Sequence, residues 1–359
     1  MRTLAVVVLI AGTLFGIASA EQDNVGAEVG AVVKDWIVPA LKTAGINSVT
    51  ITPIVWDNGS MAHAGPGIAQ TMADALTKHD IGVVPGSRAI IGGKLSRVTD
   101  EKSKQPAIRL DVTLEIEGKV VASAHRIIYG EGEITQIEGI NVTIDPKASP
   151  KDRAKTIEIA RVNPPPITRT DANVWSGPEK IFGMEMSVRS KDGAKFEPRE
   201  PDAKGFVKVR DGETYVVVLR SKAPFETAVK LFCDGLAWDT FAKFGDDHDE
   251  PGTRLVLVPA SGETTVRGWP ISREKSYAFD VARLPSIASA RQGHIGVVTA
   301  EFYPAWKNGE ALPPGEEKLN LQRSGLGTAA TREQQDAFSI HPRQISNRLR
   351  GAVTIRYGE

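Results

Sequence analysis

The sequence has little cysteine, no net charge and, after residue 17, no long apolar run. Because Cys233 is the only cysteine, no disulfide can form within the chain, and stability has to come from packing. Lysine and arginine together number 44, as do aspartate and glutamate, so charge gives no reason to expect nucleic acid or an anionic membrane as a partner. No membrane-spanning segment is predicted after residue 20. Cys233 ends a strand-like apolar run and is predicted to be a small buried residue rather than a reactive thiol.

The first twenty residues have the composition of a secretory signal peptide. Arg2 supplies positive charge, residues 4–17 are apolar, and Ala18-Ser19-Ala20 offers the small residues of a cleavage site. The apolar run is short for a membrane span, although a retained anchor is the alternative. We expect cleavage near Ala20 and a mature chain, beginning at Glu21, that is periplasmic or secreted.

Residues 21–145 are predicted to form an α/β sandwich domain. Apolar residues recur at three- and four-residue spacing over 25–44, which predicts an amphipathic helix that Pro39 should kink or split. Strict alternation over 108–116, a turn at Glu117-Gly118-Lys119 and a second strand over 120–128 predict an antiparallel hairpin. One face of this hairpin should be packed and the other exposed to water.

A second domain is predicted to follow a linker. Residues 146–168 are charged, helical in part and then proline-rich, so we place the domain boundary at 163–166. Over 169–359, short strand candidates recur between turn residues without a long helical pattern, which predicts an all-β sandwich. A polar excursion at about 308–350 is expected to be lightly ordered and to return in a last strand.

Four segments of the first domain carry a resemblance to a known module. They are a strand, a helix, a second strand and a hairpin, at residues 49–54, 67–76, 89–95 and 112–121. In these segments the domain resembles the CsgG-like and TolB amino-terminal α/β module of bacterial envelope proteins, which serve in curli secretion or as flagellar and penicillin-binding-protein activator lipoproteins. The resemblance implies a role in the cell envelope. The chain lacks the lipoprotein cysteine and the inserted alternating segments of a secretion pore.

The second domain resembles an uncharacterised β-sandwich domain of planctomycete-like bacteria. The resemblance rests on residues 212–219, 229–236, 255–259, 266–269 and 294–298. No activity attaches to that domain, so the resemblance implies a fold and nothing more.

The densest acidic cluster is the one candidate metal site. Asp246, Asp247, Asp249 and Glu250 offer the carboxylate oxygens that calcium prefers, but without the alternating ligands and central glycine of an EF-hand loop. A solvated acidic turn is the simpler interpretation. The six histidines are scattered, and no phosphate-binding loop, nucleophile elbow or zinc-protease motif occurs. No catalytic residue and no other cofactor is therefore predicted.

The predicted function is an exported, non-enzymatic role in binding or assembling other envelope proteins through protein–protein contacts. Tyr215, Trp238 and Trp306 are predicted as anchors, since aromatic side chains tend to dominate such interfaces. The alternative is an exported hydrolase or carbohydrate-active protein with a site between the domains.

Two further aromatic features have alternative interpretations. Trp238 lies near Phe241 and Phe244 in a loop-like segment, and this cluster could contact a partner or a sugar ring, or pack against the sandwich. Trp269 is predicted to plug the core or its rim, with its indole N–H bound to a nearby carbonyl.

Overall fold

The protein is built largely from β-sheets, with few helices, as predicted. The structure is a computed structural model that describes residues 25–101, 103–190, 193, 195–242, 255–272, 275–281, 296–316, 324–330 and 338–358. These residues divide into two compact units, of which the first ends at Ile134 and the second begins at Thr135. No helix in the described ranges is long and apolar enough to cross a membrane.

The first unit consists of one mixed sheet and the helices before and between its strands. The helices are α1 (Val25–Val32), a π-helix (Val33–Ile37), α2 (Val38–Thr43) and α3 (Gly65–Thr77). The strands are β1 (Ser48–Ile51), β2 (Val55–Trp56), β3 (Gly82–Val83), β4 (Ala89–Thr99), β5 (Pro106–Ile116) and β6 (Lys119–Ile128). The sheet order is β3-β1-β4-β5-β6, with β2 also paired to β4. The first three strands run parallel to their partners, and β4, β5 and β6 form an antiparallel meander.

The N-terminal helix changes its winding just before Pro39, as the position of this proline predicts. The π-helix separates α1 from α2, and Pro39 lies in the first turn of α2. Proline has no backbone N–H to donate, so it fits the first turn of a helix and disrupts any later one. The predicted single helix is therefore two helices joined by a wider turn.

The predicted hairpin is present as β5 and β6. Glu117 and Gly118 both have positive φ, at 51° and 76°, which gives the two-residue turn that matches the twist of antiparallel strands. Leu110, Val112 and Leu114 of β5 are buried, and the residues that alternate with them are partly exposed. One face of the hairpin is therefore packed against the core, and the other is partly exposed to water.

The second unit contains two helices and seventeen strands in the described ranges. The helices are α4 (Glu131–Glu138), in which the boundary between the units falls, and α5 (Pro150–Val162). The first strands are β7 (Val142–Thr143), β8 (Thr168–Thr170), β9 (Asn173–Trp175), β10 (Phe182–Arg189), β11 (Phe196–Pro198), β12 (Phe206–Lys208), β13 (Thr214–Ser221), β14 (Thr227–Cys233) and β15 (Leu236–Ala237). The others are β16 (Leu255–Val258), β17 (Glu263–Val266), β18 (Gly268–Pro270), β19 (Ser276–Asp280), β20 (Gly296–Trp306), β21 (Ser324–Ala330), β22 (Phe338–Ile345) and β23 (Gly351–Gly358).

These strands form two sheets that enclose one core. The first sheet has the order β18-β19-β13-β10-β9-β8, and the second has the order β12-β23-β20-β22-β21-β16-β14-β15. Phe182 of the first sheet stacks on Phe302 of the second, with ring centroids 4.9 Å apart. Buried side chains of β10 and β13 share this core with those of β14, β20 and β23. The second unit is therefore a β-sandwich.

The segment predicted as a linker, 146–168, belongs to the second unit, and the boundary lies before it. Most of the segment is α5, which Ser149 caps by accepting a hydrogen bond from the Asp152 N–H at 3.2 Å. Arg161 of α5 forms an ion pair of 2.7 Å with Glu138, and both side chains are 1% exposed. The charges that suggested a solvated linker thus include an ion pair inside the unit.

The polar excursion predicted at about 308–350 contains two regular strands. The backbones of β21 and β22 pair with each other in antiparallel register, and β21 also runs parallel to β16. These two strands extend the second sheet, whereas the polarity of the segment predicted a lightly ordered arm.

Candidate functional site

The three predicted anchors, Tyr215, Trp238 and Trp306, are core residues. Each is at most 4% exposed. Tyr215 stacks on Phe279 with centroids 5.2 Å apart, and the Trp238 indole N–H donates to the backbone oxygen of Gly268 at 2.9 Å. These positions leave no ring face for a partner, because strand alternation turns Tyr215 inward and the core accommodates both tryptophans.

The predicted calcium ligands Asp246, Asp247, Asp249 and Glu250 lie outside the described residues, as does the predicted signal peptide. Within the described ranges, no group of three or more histidine, cysteine, aspartate and glutamate side chains could hold a metal ion.

An exposed cluster of three aromatic rings lies at one end of the first sandwich sheet. Trp269 of β18 and Tyr277 of β19 are directly paired in register, so their side chains lie on the same face. Phe241, four residues beyond β15, contacts both rings with centroid distances of 5.4 and 6.3 Å. Tyr277 is 58% exposed, Phe241 is 40% exposed and Trp269 is half-buried. We call these three residues the aromatic surface.

The aromatic surface rests on buried rings. Trp269 contacts Phe279 edge to face at 5.3 Å, and Phe279 stacks on Tyr215 in the core. Tyr215 in turn lies 5.4 Å from Tyr357. A continuous series of rings therefore runs from the interior to the surface, and contact with the buried rings restrains the outermost side chains.

The backbone at β18 admits only a small residue next to Trp269. A Cβ atom at Gly268 would lie 2.0 Å from the backbone oxygen of Tyr277, so glycine permits the close pairing of β18 with β19. The Gly268 oxygen also accepts the hydrogen bond from Trp238, which ties the strand to the core. These contacts fix the spacing of Trp269 and Tyr277.

The surroundings of the aromatic surface are polar. Arg267 and Lys275, one residue outside β18 and β19, are exposed. On the opposite face of β19, Asp280 is exposed and accepts a hydrogen bond of 2.6 Å from the Thr214 hydroxyl. An apolar centre with a polar rim is the usual anatomy of a protein-binding patch.

A second notable site is buried. Glu301 of β20 is 1% exposed, accepts hydrogen bonds from the hydroxyls of Thr135 at 2.8 Å and Tyr303 at 2.9 Å, and is paired in register with Lys230. Burial raises the pKa of Glu301 to about 7, although Lys230 and the two hydroxyl donors act in the opposite direction. Sequence reasoning missed this carboxyl group. The available signal was a lone acid in the apolar run 296–306, where every residue is buried.

Cys233 is buried, as predicted. Burial raises the pKa of its thiol, which keeps the sulfur protonated and unreactive. The Asp234-Gly235 turn that follows has positive φ at both residues.

Comparisons of the chain with protein-family models, with curated proteins and with solved structures found no match.

Proposed function

We propose that this chain is an exported, non-enzymatic binding protein that assembles with other envelope proteins, and that a partner docks on the aromatic surface. The observation that carries the proposal is the exposure of Phe241 and Tyr277 on a rigid base of buried rings. Tryptophan and tyrosine are enriched among the residues that dominate binding energy, and pre-ordered rings lose little conformational freedom on binding.

The export and the envelope setting are part of the same proposal. The sequence features at residues 1–20 support cleavage near Ala20 and a periplasmic or secreted location. The mixed sheet of the first unit, with helices α1, α2 and α3, supports its assignment as an α/β sandwich of the CsgG-like and TolB amino-terminal kind.

Removing one exposed ring should separate binding from folding. We expect Tyr277→Ala in the mature chain to lose the proteins that the wild type captures from an envelope extract. Because Tyr277 is 58% exposed, the substitution should change the melting temperature little. The matched control is Tyr129→Ala in the first unit, since this tyrosine is 38% exposed and lies outside the aromatic surface. Equal capture by the wild type and Tyr277→Ala would refute docking at this surface.

A further inference from the structure

The three rings of the aromatic surface form a notch. The ring of Phe241 is nearly perpendicular to both Trp269 and Tyr277, with interplanar angles of 81° and 83°. Phe241 therefore stands upright beside the other two rings, and we use the word notch for the corner where they meet. The exposed ring faces at this corner offer contact area to flat, rigid apolar groups.

Two hydrogen-bond donors of the aromatic surface are available to a ligand. Among the residues that the structure describes, neither the Tyr277 hydroxyl nor the Trp269 indole N–H makes a hydrogen bond to the protein, and neither is enclosed. The nearest strand carboxylate, Asp280, is three residues from Tyr277 and points to the opposite face of β19, where it binds Thr214. Among the described residues of β19, the one carboxylate therefore does not face the notch, whereas the two donors do.

The size of the aromatic surface fits a short segment rather than a folded surface. Each large aromatic side chain buries roughly 150–250 Å² in full contact, and here only part of three rings is exposed. The area that the rings can contribute is on the order of a few hundred Å², against about 800 Å² per partner in a standard interface between folded proteins.

We infer that the aromatic surface binds a proline-rich segment of an envelope protein in the polyproline II conformation, with proline rings in the notch and peptide carbonyls on the Tyr277 and Trp269 donors. This inference rests on the proposed function. A polyproline II helix has no internal hydrogen bonds, its prolines have no N–H, and its carbonyls need external donors. Its stiffness lowers the entropy lost on binding, which suits a small contact area.

A glycan is the competing ligand, because sugar rings also stack on aromatic faces. Sugar hydroxyls require acceptors as well as donors, and the carboxylate of Asp280 lies on the other face of β19. Peptide carbonyl groups only accept, so the Tyr277 and Trp269 donors are sufficient for them.

The test is a titration of the full mature chain with a labelled ten-residue polyproline peptide, followed by fluorescence anisotropy. We expect saturable binding below about 1 mM, and no binding of a glycine–serine peptide of equal length. Tyr277→Phe keeps the ring and removes one hydrogen bond, so it should weaken binding roughly 2- to 10-fold. Tyr277→Ala should weaken it more than about 10-fold, whereas Tyr129→Ala should bind like the wild type.

The outcomes separate this inference from the proposed function. If polyproline does not bind, or binds Tyr277→Ala equally, while Tyr277→Ala still loses its captured envelope proteins, the ligand assignment is overturned and docking at the surface stands. Displacement of the peptide by a chitin hexasaccharide would assign the notch to glycans and would also overturn the inference. If capture itself is unaffected by Tyr277→Ala, both proposals fail.

Discussion

Glu301 is the residue that should link stability to pH. Its pKa is 4.5 when exposed to water and about 7 in the fold, so the folded state holds this proton more tightly than the unfolded chain. Below about pH 4.5 both states are protonated. As pH rises toward 7 only the unfolded state ionises, and stability falls, by at most about 3 kcal/mol for this difference in pKa.

Glu301→Gln should remove that dependence, because an amide keeps the shape of the protonated acid and does not ionise. We expect the variant and the wild type to unfold at similar urea concentrations at pH 5, and the variant to be the more stable at pH 8. Glu310→Gln, on an exposed turn, is the control and should match the wild type at both values. A variant-to-wild-type difference that is the same at pH 5 and pH 8 would contradict a buried, protonated Glu301.

At the element scale, the buried side chain of Arg161 ties α5 to the rest of the second unit. Arg161 forms one ion pair with buried Glu138 and another, at 2.9 Å, with half-exposed Glu158. Glu138→Ala leaves the guanidinium buried without its inner partner, which should cost about 3–5 kcal/mol in the free energy of unfolding. Glu158→Ala should cost less than about 1 kcal/mol, because Glu158 is 45% exposed and Arg161 keeps its buried partner Glu138. Urea unfolding of both variants measures the two losses in the free energy of unfolding. Equal losses would contradict the larger role given to the buried partner, Glu138.

Elements with a local signal were predictable from the sequence. The β5–β6 hairpin follows from alternation and a Glu-Gly turn, and the break before α2 follows from Pro39. The charge of α5 was misleading, since only the three-dimensional fold brings Glu138 to Arg161. Pairing of β21 with β22 likewise depends on partners distant in sequence.

The candidate site also depends on contacts that local sequence patterns do not predict. Aromatic residues were identified as anchors by type, but their exposure depends on register. Tyr215 and Tyr277 are both strand tyrosines, yet the first lies in the core and the second is 58% exposed. The notch requires Phe241 to reach β18 and β19 from a distant turn. No periodicity within either segment encodes that contact.

At the scale of the whole molecule, balanced charge bears on how the proposed partner is found. With 44 basic and 44 acidic residues, the chain has no net field to attract a partner from a distance. Association without such steering typically proceeds at about 10⁵–10⁶ M⁻¹s⁻¹. Selectivity must then come from short-range contacts, which gives the pre-ordered rings of the aromatic surface their importance.

The proposed location of the whole molecule rests on the sequence of its first twenty residues. A signal peptide needs an apolar stretch of about 7–15 residues, which residues 4–17 supply. We expect the wild type, produced in a bacterial host, to occur in the periplasmic or secreted fraction with Glu21 as its first residue by intact mass. Replacing Leu9 and Ile10 together with arginine should leave an uncut precursor in the cytoplasm, because the charges divide the apolar stretch. Leu9→Ile, which keeps the stretch apolar, should be processed normally. An uncut wild type in the cytoplasm would place the aromatic surface beyond the reach of any envelope partner.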